Sequence, residues 1–166
     1  MKRSAPPSTV VRRAMLAAAV LLAGCGSGEQ RPDVQKQINR LLGDSEDDRY
    51  LALANLQELG ADGAPAVDVL TTLLANTKND DLAAEIAKTL GSIGPAAAPA
   101  VPALTALLGR KAMWPRYAAV EALGHVGPAA APALPAILKL TRDPDRDVAA
   151  AAGEVARRLN RSRPKK

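Results

Sequence analysis

Gly94-Pro95-Ala96-Ala97-Ala98-Pro99-Ala100-Val101-Pro102-Ala103-Leu104 recurs 33 residues later as Gly127-Pro128-Ala129-Ala130-Ala131-Pro132-Ala133-Leu134-Pro135-Ala136-Ile137. A shorter copy, Gly63-Ala64-Pro65-Ala66-Val67-Asp68-Val69-Leu70, lacks three residues of the linker. The segments before each copy match as well: Leu59-Gly60-Ala61-Asp62-Gly63, Leu90-Gly91-Ser92-Ile93-Gly94 and Leu123-Gly124-His125-Val126-Gly127. A period near 33 is the signature of stacked repeats, in which a unit buries its apolar face only against its neighbours.

Each unit holds two helical patterns. The first, helix A, covers residues 51–59, 82–90, 115–123 and 148–156. Leu53, Leu56 and Leu59 recur at i, i+3, i+6, and Leu82, Ile86 and Leu90 at i, i+4, i+8. Gly60, Gly91 and Gly124 fall where left-handed C-caps are expected. The second, helix B, carries Leu70-Leu73-Leu74, Leu104-Leu107-Leu108 and Ile137-Leu140, and Ile38-Leu41-Leu42 fits the same frame upstream. Pro65, Pro99 and Pro132 belong in first turns or just before them, and Pro115 suits the first turn of an A helix. Asp80-Asp81 and Asp143-Pro144-Asp145 offer N-terminal caps and favourable charge. The expected order is B, then A-B three times, then A, about eight helices. No segment alternates with period two, so the fold class is all-α, an α-solenoid of stacked helix pairs. Leu73, Leu74, Leu107 and Leu108 are expected in its core.

The rest of the composition excludes several classes. The chain has 166 residues, one Cys, one Trp, two Tyr and no Phe, with a formal net charge of +5. A lone Cys cannot build an intramolecular disulfide framework or a Cys-rich zinc site. Three aromatic residues are too few for a base-stacking platform. Met1 to Gly24 and Arg157 to Lys166 hold four and six cations and no acid, so the body between them, with all 17 acids and 12 cations, is net negative. The basic balance is therefore no argument for nucleic-acid binding, and none is expected.

Residues 1–24 read as an address. Arg12-Arg13 precede the apolar run Ala14 to Ala23, which is too short to span a bilayer as a mature helix. Leu22-Ala23-Gly24-Cys25 resembles a bacterial lipobox. That resemblance implies cleavage before Cys25 and acylation of Cys25, hence a lipid anchor to a membrane of the bacterial cell envelope, facing the periplasm or exterior. Gly26 stands where an Asp would retain an enterobacterial lipoprotein in the inner membrane, which leans to the outer membrane. Val11 to Leu16 also resembles a twin-arginine export signal, although an ordinary basic n-region explains it. Residues 25–33 read as a flexible tether, 34–159 as the repeat domain and 160–166 as a basic tail. Such a tail is a solvated end, or in a lipid-anchored protein a contact for anionic headgroups.

Leu-Gly-x-Ile/Val-Gly followed by Ala-Pro-Ala-Val-Pro-Ala-Leu, a polar turn and an Ala-rich A helix resembles HEAT-like repeats, in the short form named after phycobilisome lyases. The resemblance spans about residues 34 to 159. It implies a surface for binding another protein, with B helices lining one face. The family's name alone also suggests a lyase-like or maturation accessory subunit for a chromophore protein.

Chemistry-bearing groups are sparse. His125 is the only His and is expected exposed in an inter-helix turn; no nucleophile elbow accompanies it. No Gly-Lys-Ser/Thr follows the glycines, so no phosphate loop is indicated. Asp44, Glu46, Asp47 and Asp48, and Asp143, Asp145 and Asp147, read as caps and solvated turns, since no EF-hand framework follows. No enzymatic activity, metal or cofactor is expected. One turn departs from the repeat: Arg110-Lys111-Ala112-Met113-Trp114-Pro115-Arg116-Tyr117, where equivalent turns are acidic and lack aromatic residues. Cations beside Trp, Met and Tyr suit a binding hot spot, so Lys111, Met113, Trp114, Arg116 and Tyr117 are the candidate partner contacts.

Overall fold

The computed structural model describes residues 33–162. The expected signal peptide, Cys25, the tether up to Pro32 and the last four residues lie outside the described residues. Among these, every regular element is helical: α1 Val34–Leu42, α2 Glu46–Leu59, α3 Val67–Asn76, α4 Asp80–Ile93, α5 Val101–Leu107, α6 Met113–Val126, α7 Leu134–Leu140 and α8 Arg146–Arg161. Three 3-10 segments, Gly60–Ala66, Gly94–Ala100 and Gly127–Ala133, join α2 to α3, α4 to α5 and α6 to α7.

Short polar side chains start the long helices. Asp33, which the sequence assigned to the tether, accepts from the backbone N–H of Gln35 at 2.8 Å and caps α1. Ser45 accepts from Asp48 N–H at 3.2 Å, and the three acids that follow it lie along the positive end of α2. Asn79, not the two acids after it, caps α4, through Asp81 and Leu82 N–H at 2.9 and 3.1 Å. Asp145 caps α8 in the same way, through Asp147 and Val148. Each such cap contributes about 1 kcal/mol. α6 has no side-chain cap. Its first turn instead contains Pro115, which has no N–H to satisfy.

The helix ends correct the repeat register. Gly91 and Gly124 do not cap helices; α4 continues to Ile93 and α6 to Val126. The glycines with positive φ are Gly60, Gly94 and Gly127, at 53°, 73° and 77°. Gly60 therefore corresponds to Gly94 and Gly127, and all three 3-10 segments have seven residues. The first copy is not three residues short. Gly91 and Gly124 serve close approach: a Cβ on Gly91 would lie 3.1 Å from Ala122 Cα, and one on Gly124 would meet Val155 and the Arg158 guanidinium. His125 consequently sits in the last turn of α6 and not in a loop, though it is exposed.

The core is one continuous cluster across the repeats. α2 packs on α4, α4 on α6 and α6 on α8, while α3 packs on α5. The α4–α6 contact is the broadest. It is narrow enough to need Gly91 against Ala122, with Ile86, Leu90, Val120 and Leu123 fully buried around it. Leu74, Leu107 and Leu108 are buried as expected, but Leu73 is only partly buried at the core's edge. The helical run Asp80–Leu107 is long and apolar enough to cross a bilayer, yet half of its most apolar stretch is buried within this core.

Polar links stitch neighbouring repeats along the helix faces and turns. Gln57 donates to Glu85 and Thr89 at 3.1 Å each. Asn79 donates to Glu46 at 3.3 Å, and Arg110 to Asp80 at 2.8 Å and to the Thr77 carbonyl at 2.6 Å. Both polar atoms of the buried Gln37 side chain have partners: it donates to the Asp33 carbonyl and accepts from Arg40 and Asn55. Among the described residues no buried side-chain N or O lacks a partner.

Candidate functional site

The departure from the repeat at residues 110–117 divides in two. Trp114 and Tyr117 are three apart on α6 and share a face; Arg116, two residues from Trp114, points to the other side. Trp114 is 61% exposed. Its ring meets that of Tyr117 edge to face, with centroids 6.3 Å apart and planes at 85°. They form one wall of a shallow open groove, which Glu121 continues one turn along. The other wall is α8, contributing Asp147, Ala150, Ala151, Glu154 and Arg157. Lys111 is exposed in the preceding turn and Met113 is half-buried; neither lines the groove.

Arg116 corrects the candidate set. It is 8% exposed, and its donors are committed inside the protein. Nε and Nη2 donate to Asp143 Oδ2 and Oδ1 at 2.9 and 2.7 Å. Nη1 donates to the carbonyls of Arg110, Lys111 and Ala112 at 3.1, 2.6 and 3.2 Å. The guanidinium thus satisfies the turn after α5 and ties it to the turn after α7. Arg49, at the equivalent position of α2, does the same for Leu41 and Gly43 carbonyls. The Arg116 hydrogen bonds hold the Asp143 carboxyl below the usual carboxylate range, against the opposing push of burial. Asp143 is therefore part of a buried ion pair and not a solvated turn acid.

The sequence reading passed over Glu121 and Glu154 and took Asp147 only for a cap or solvated turn acid. The signal was present: Trp114, Tyr117 and Glu121 stand at i, i+3, i+7, and Asp147, Ala150 and Glu154 repeat that spacing on α8. The acidity extends along the A helices. At Tyr50, the α2 counterpart of Tyr117, burial raises the phenol above the usual range, and Glu46, Asp81 and Glu85 raise it further. Among the described residues no group of three or more His, Cys, Asp or Glu side chains is placed to hold a metal.

Antiparallel helix pairs stacked at a 33- to 34-residue spacing, with A helices on A helices, define a helical-hairpin repeat protein. The family model for HEAT repeats matches residues 34–124 and 67–157, and the chain belongs to that family. No curated protein matches it. Among solved structures, an engineered protein is similar at TM-score 0.66 and 20% identity, over 77% of this chain and 62% of that one. Human deoxyhypusine hydroxylase is similar at TM-score 0.62 and 26% identity, over 92% of this chain and 54% of that one. The chain thus spans between about half and three fifths of these two structures' length. The complex of CpcE and CpcF of phycocyanin lyase from Nostoc aligns at TM-score 0.42 and 24% identity, over 87% of this chain and 71% of that one, too loosely to bear on function. The hydroxylase overturns the expectation that no enzyme is involved: the same fold occurs over about half of a protein named as an enzyme, so HEAT repeats alone do not decide catalytic status.

Proposed function

We propose that this protein is a bacterial lipoprotein, held to a cell-envelope membrane by acyl chains on Cys25, whose HEAT repeats dock another protein at the α6–α8 groove. The observation that carries the docking reading is Trp114, left 61% exposed on a groove wall in a chain with only one Trp. Large aromatic side chains in such positions dominate binding energies, and truncating one commonly costs about 2 kcal/mol or more. The membrane reading rests on the lipobox-like Leu22-Ala23-Gly24-Cys25. Two or more acyl chains, at about 0.8 kcal/mol per buried CH₂, give stable anchoring. Gly26 favours the outer membrane on this reading.

The two parts are tested separately. Wild type is expected to enter the detergent phase with the intact mass of an acylated chain, and Cys25→Ala to remain aqueous. A water-soluble, unacylated wild type refutes the anchor. For docking, Trp114→Ala is expected to leave thermal stability unchanged and to abolish cross-linking to the protein captured by wild type in the native host. Unimpaired capture, with stability lowered, would make Trp114 a packing residue and remove the site.

A further inference from the structure

The α6–α8 groove also states the chemistry of what fits it. We propose that it receives a cationic polypeptide segment, with an arginine or lysine side chain laid on Trp114 beside Tyr117 and its charge held by Glu121, Asp147 and Glu154. This deepens the docking reading and rests on it. Indole faces attract cations through the ring quadrupole, and the edge-to-face packing of Tyr117 holds the Trp114 ring while most of it remains open. The three carboxylates have no ion-pair or hydrogen-bonding partner among the described residues.

Elsewhere the protein pairs carboxylates that lie between repeats, as Asp80 with Arg110 and Asp143 with Arg116. In this groove it leaves three unpaired against the single cation Arg157. An anionic segment would be repelled, and a wholly apolar one would desolvate carboxylates without compensation. The protein's own basic tail is the competing occupant. The arrangement is also not confined to one groove. Asp147 stands three positions before the α8 counterpart of Tyr117, as Asp81 stands three before the α4 counterpart of Tyr50. The A-helix face therefore pairs a phenol with a neighbouring carboxylate twice, which suits an extended basic segment more than a single ion.

The sole Trp makes the test direct, because emission from Trp114 reports the groove. The full-length protein is titrated with a peptide of alternating arginine and alanine, and with its glutamate–alanine counterpart. A saturable change in emission is expected with the first peptide alone. By calorimetry its affinity is expected to fall about tenfold or more in Trp114→Ala and in the double variant Glu121→Gln/Glu154→Gln, and steeply with added salt. Glu58→Gln, on the exposed face of α2, is expected to bind as wild type. Helical melting of each variant verifies folding; Asp147→Asn replaces any variant that melts early.

The proposal is overturned if the arginine peptide does not bind, if the glutamate peptide binds equally, or if binding survives Glu121→Gln/Glu154→Gln. It is also overturned if removing residues 163–166 shifts Trp114 emission without peptide, since the tail then fills the groove. Failure of the docking reading looks different. If Trp114→Ala abolishes capture of the native partner while the arginine peptide does not bind, docking stands and only the cationic chemistry falls.

Discussion

Replacing Arg116 by Ala is expected to destabilise the fold by about 3–5 kcal/mol, the range for removing one partner of a buried, hydrogen-bonded ion pair. The side chains of Arg116 and Asp143 retain only 10% and 3% exposure, so water screens the pair little. The substitution removes two charge-assisted bonds to Asp143 and opens three carbonyls in the turn after α5. Asp143 is then left with the Asp145 N–H at 2.9 Å. The turn lies at the protein's edge, where water can reach the freed carbonyls, which places the value near the lower end of the range.

The assay is urea unfolding followed by circular dichroism, with Trp114 emission as an independent probe. Asp143→Asn and the double variant complete a cycle, and a coupling of about 1–3 kcal/mol is expected. The pH dependence has a definite sign. Asp143 titrates lower in the folded state than in the unfolded state, so its contribution is present above the unfolded value of about 4. It is lost as pH falls through the lowered folded value. The difference between wild type and Arg116→Ala should therefore be flat near neutrality and shrink in acid below about pH 4. A loss under about 1 kcal/mol at pH 7, or a difference that grows on acidification, refutes the buried-pair account.

Leu107→Ala should cost about 2–5 kcal/mol, because Leu107 is 3% exposed on a short helix with few other anchors; a negligible change in urea midpoint would contradict its place in the core. Two glycine substitutions should go in opposite directions by thermal melting. Gly91→Ala presses a methyl to 3.1 Å from the Ala122 backbone and should cost about 1–3 kcal/mol, whereas Gly153→Ala meets nothing within 4 Å inside α8 and should stabilise by about 0.5–1 kcal/mol. Equal effects at the two positions would remove the close-approach role of Gly91.

The helical class, the repeat and the A-B order of its helices were legible because they are local. The spacing of Leu and Ile, the prolines before each B helix and the polar caps of three A helices act within one or two turns of chain. The family resemblance added nothing that these residues did not already carry for the fold, and it did not exclude catalysis. What the sequence left open were distances between segments some 33 residues apart. Gly60 and Gly91 look alike in sequence, yet one terminates a helix with positive φ and the other admits a neighbouring helix. Only the packed pair α4–α6 separates those roles. Arg116 and Trp114 look like one cluster because they are two residues apart, but a helix sends them to opposite sides, one to Asp143 and one to the groove. The carboxylates of that groove come from two helices, and their nearness to Trp114 is created by stacking one repeat on the next. Tertiary structure decides such matters because charge and steric overlap depend on separation in space, which a repeat pattern sets only after its register is known.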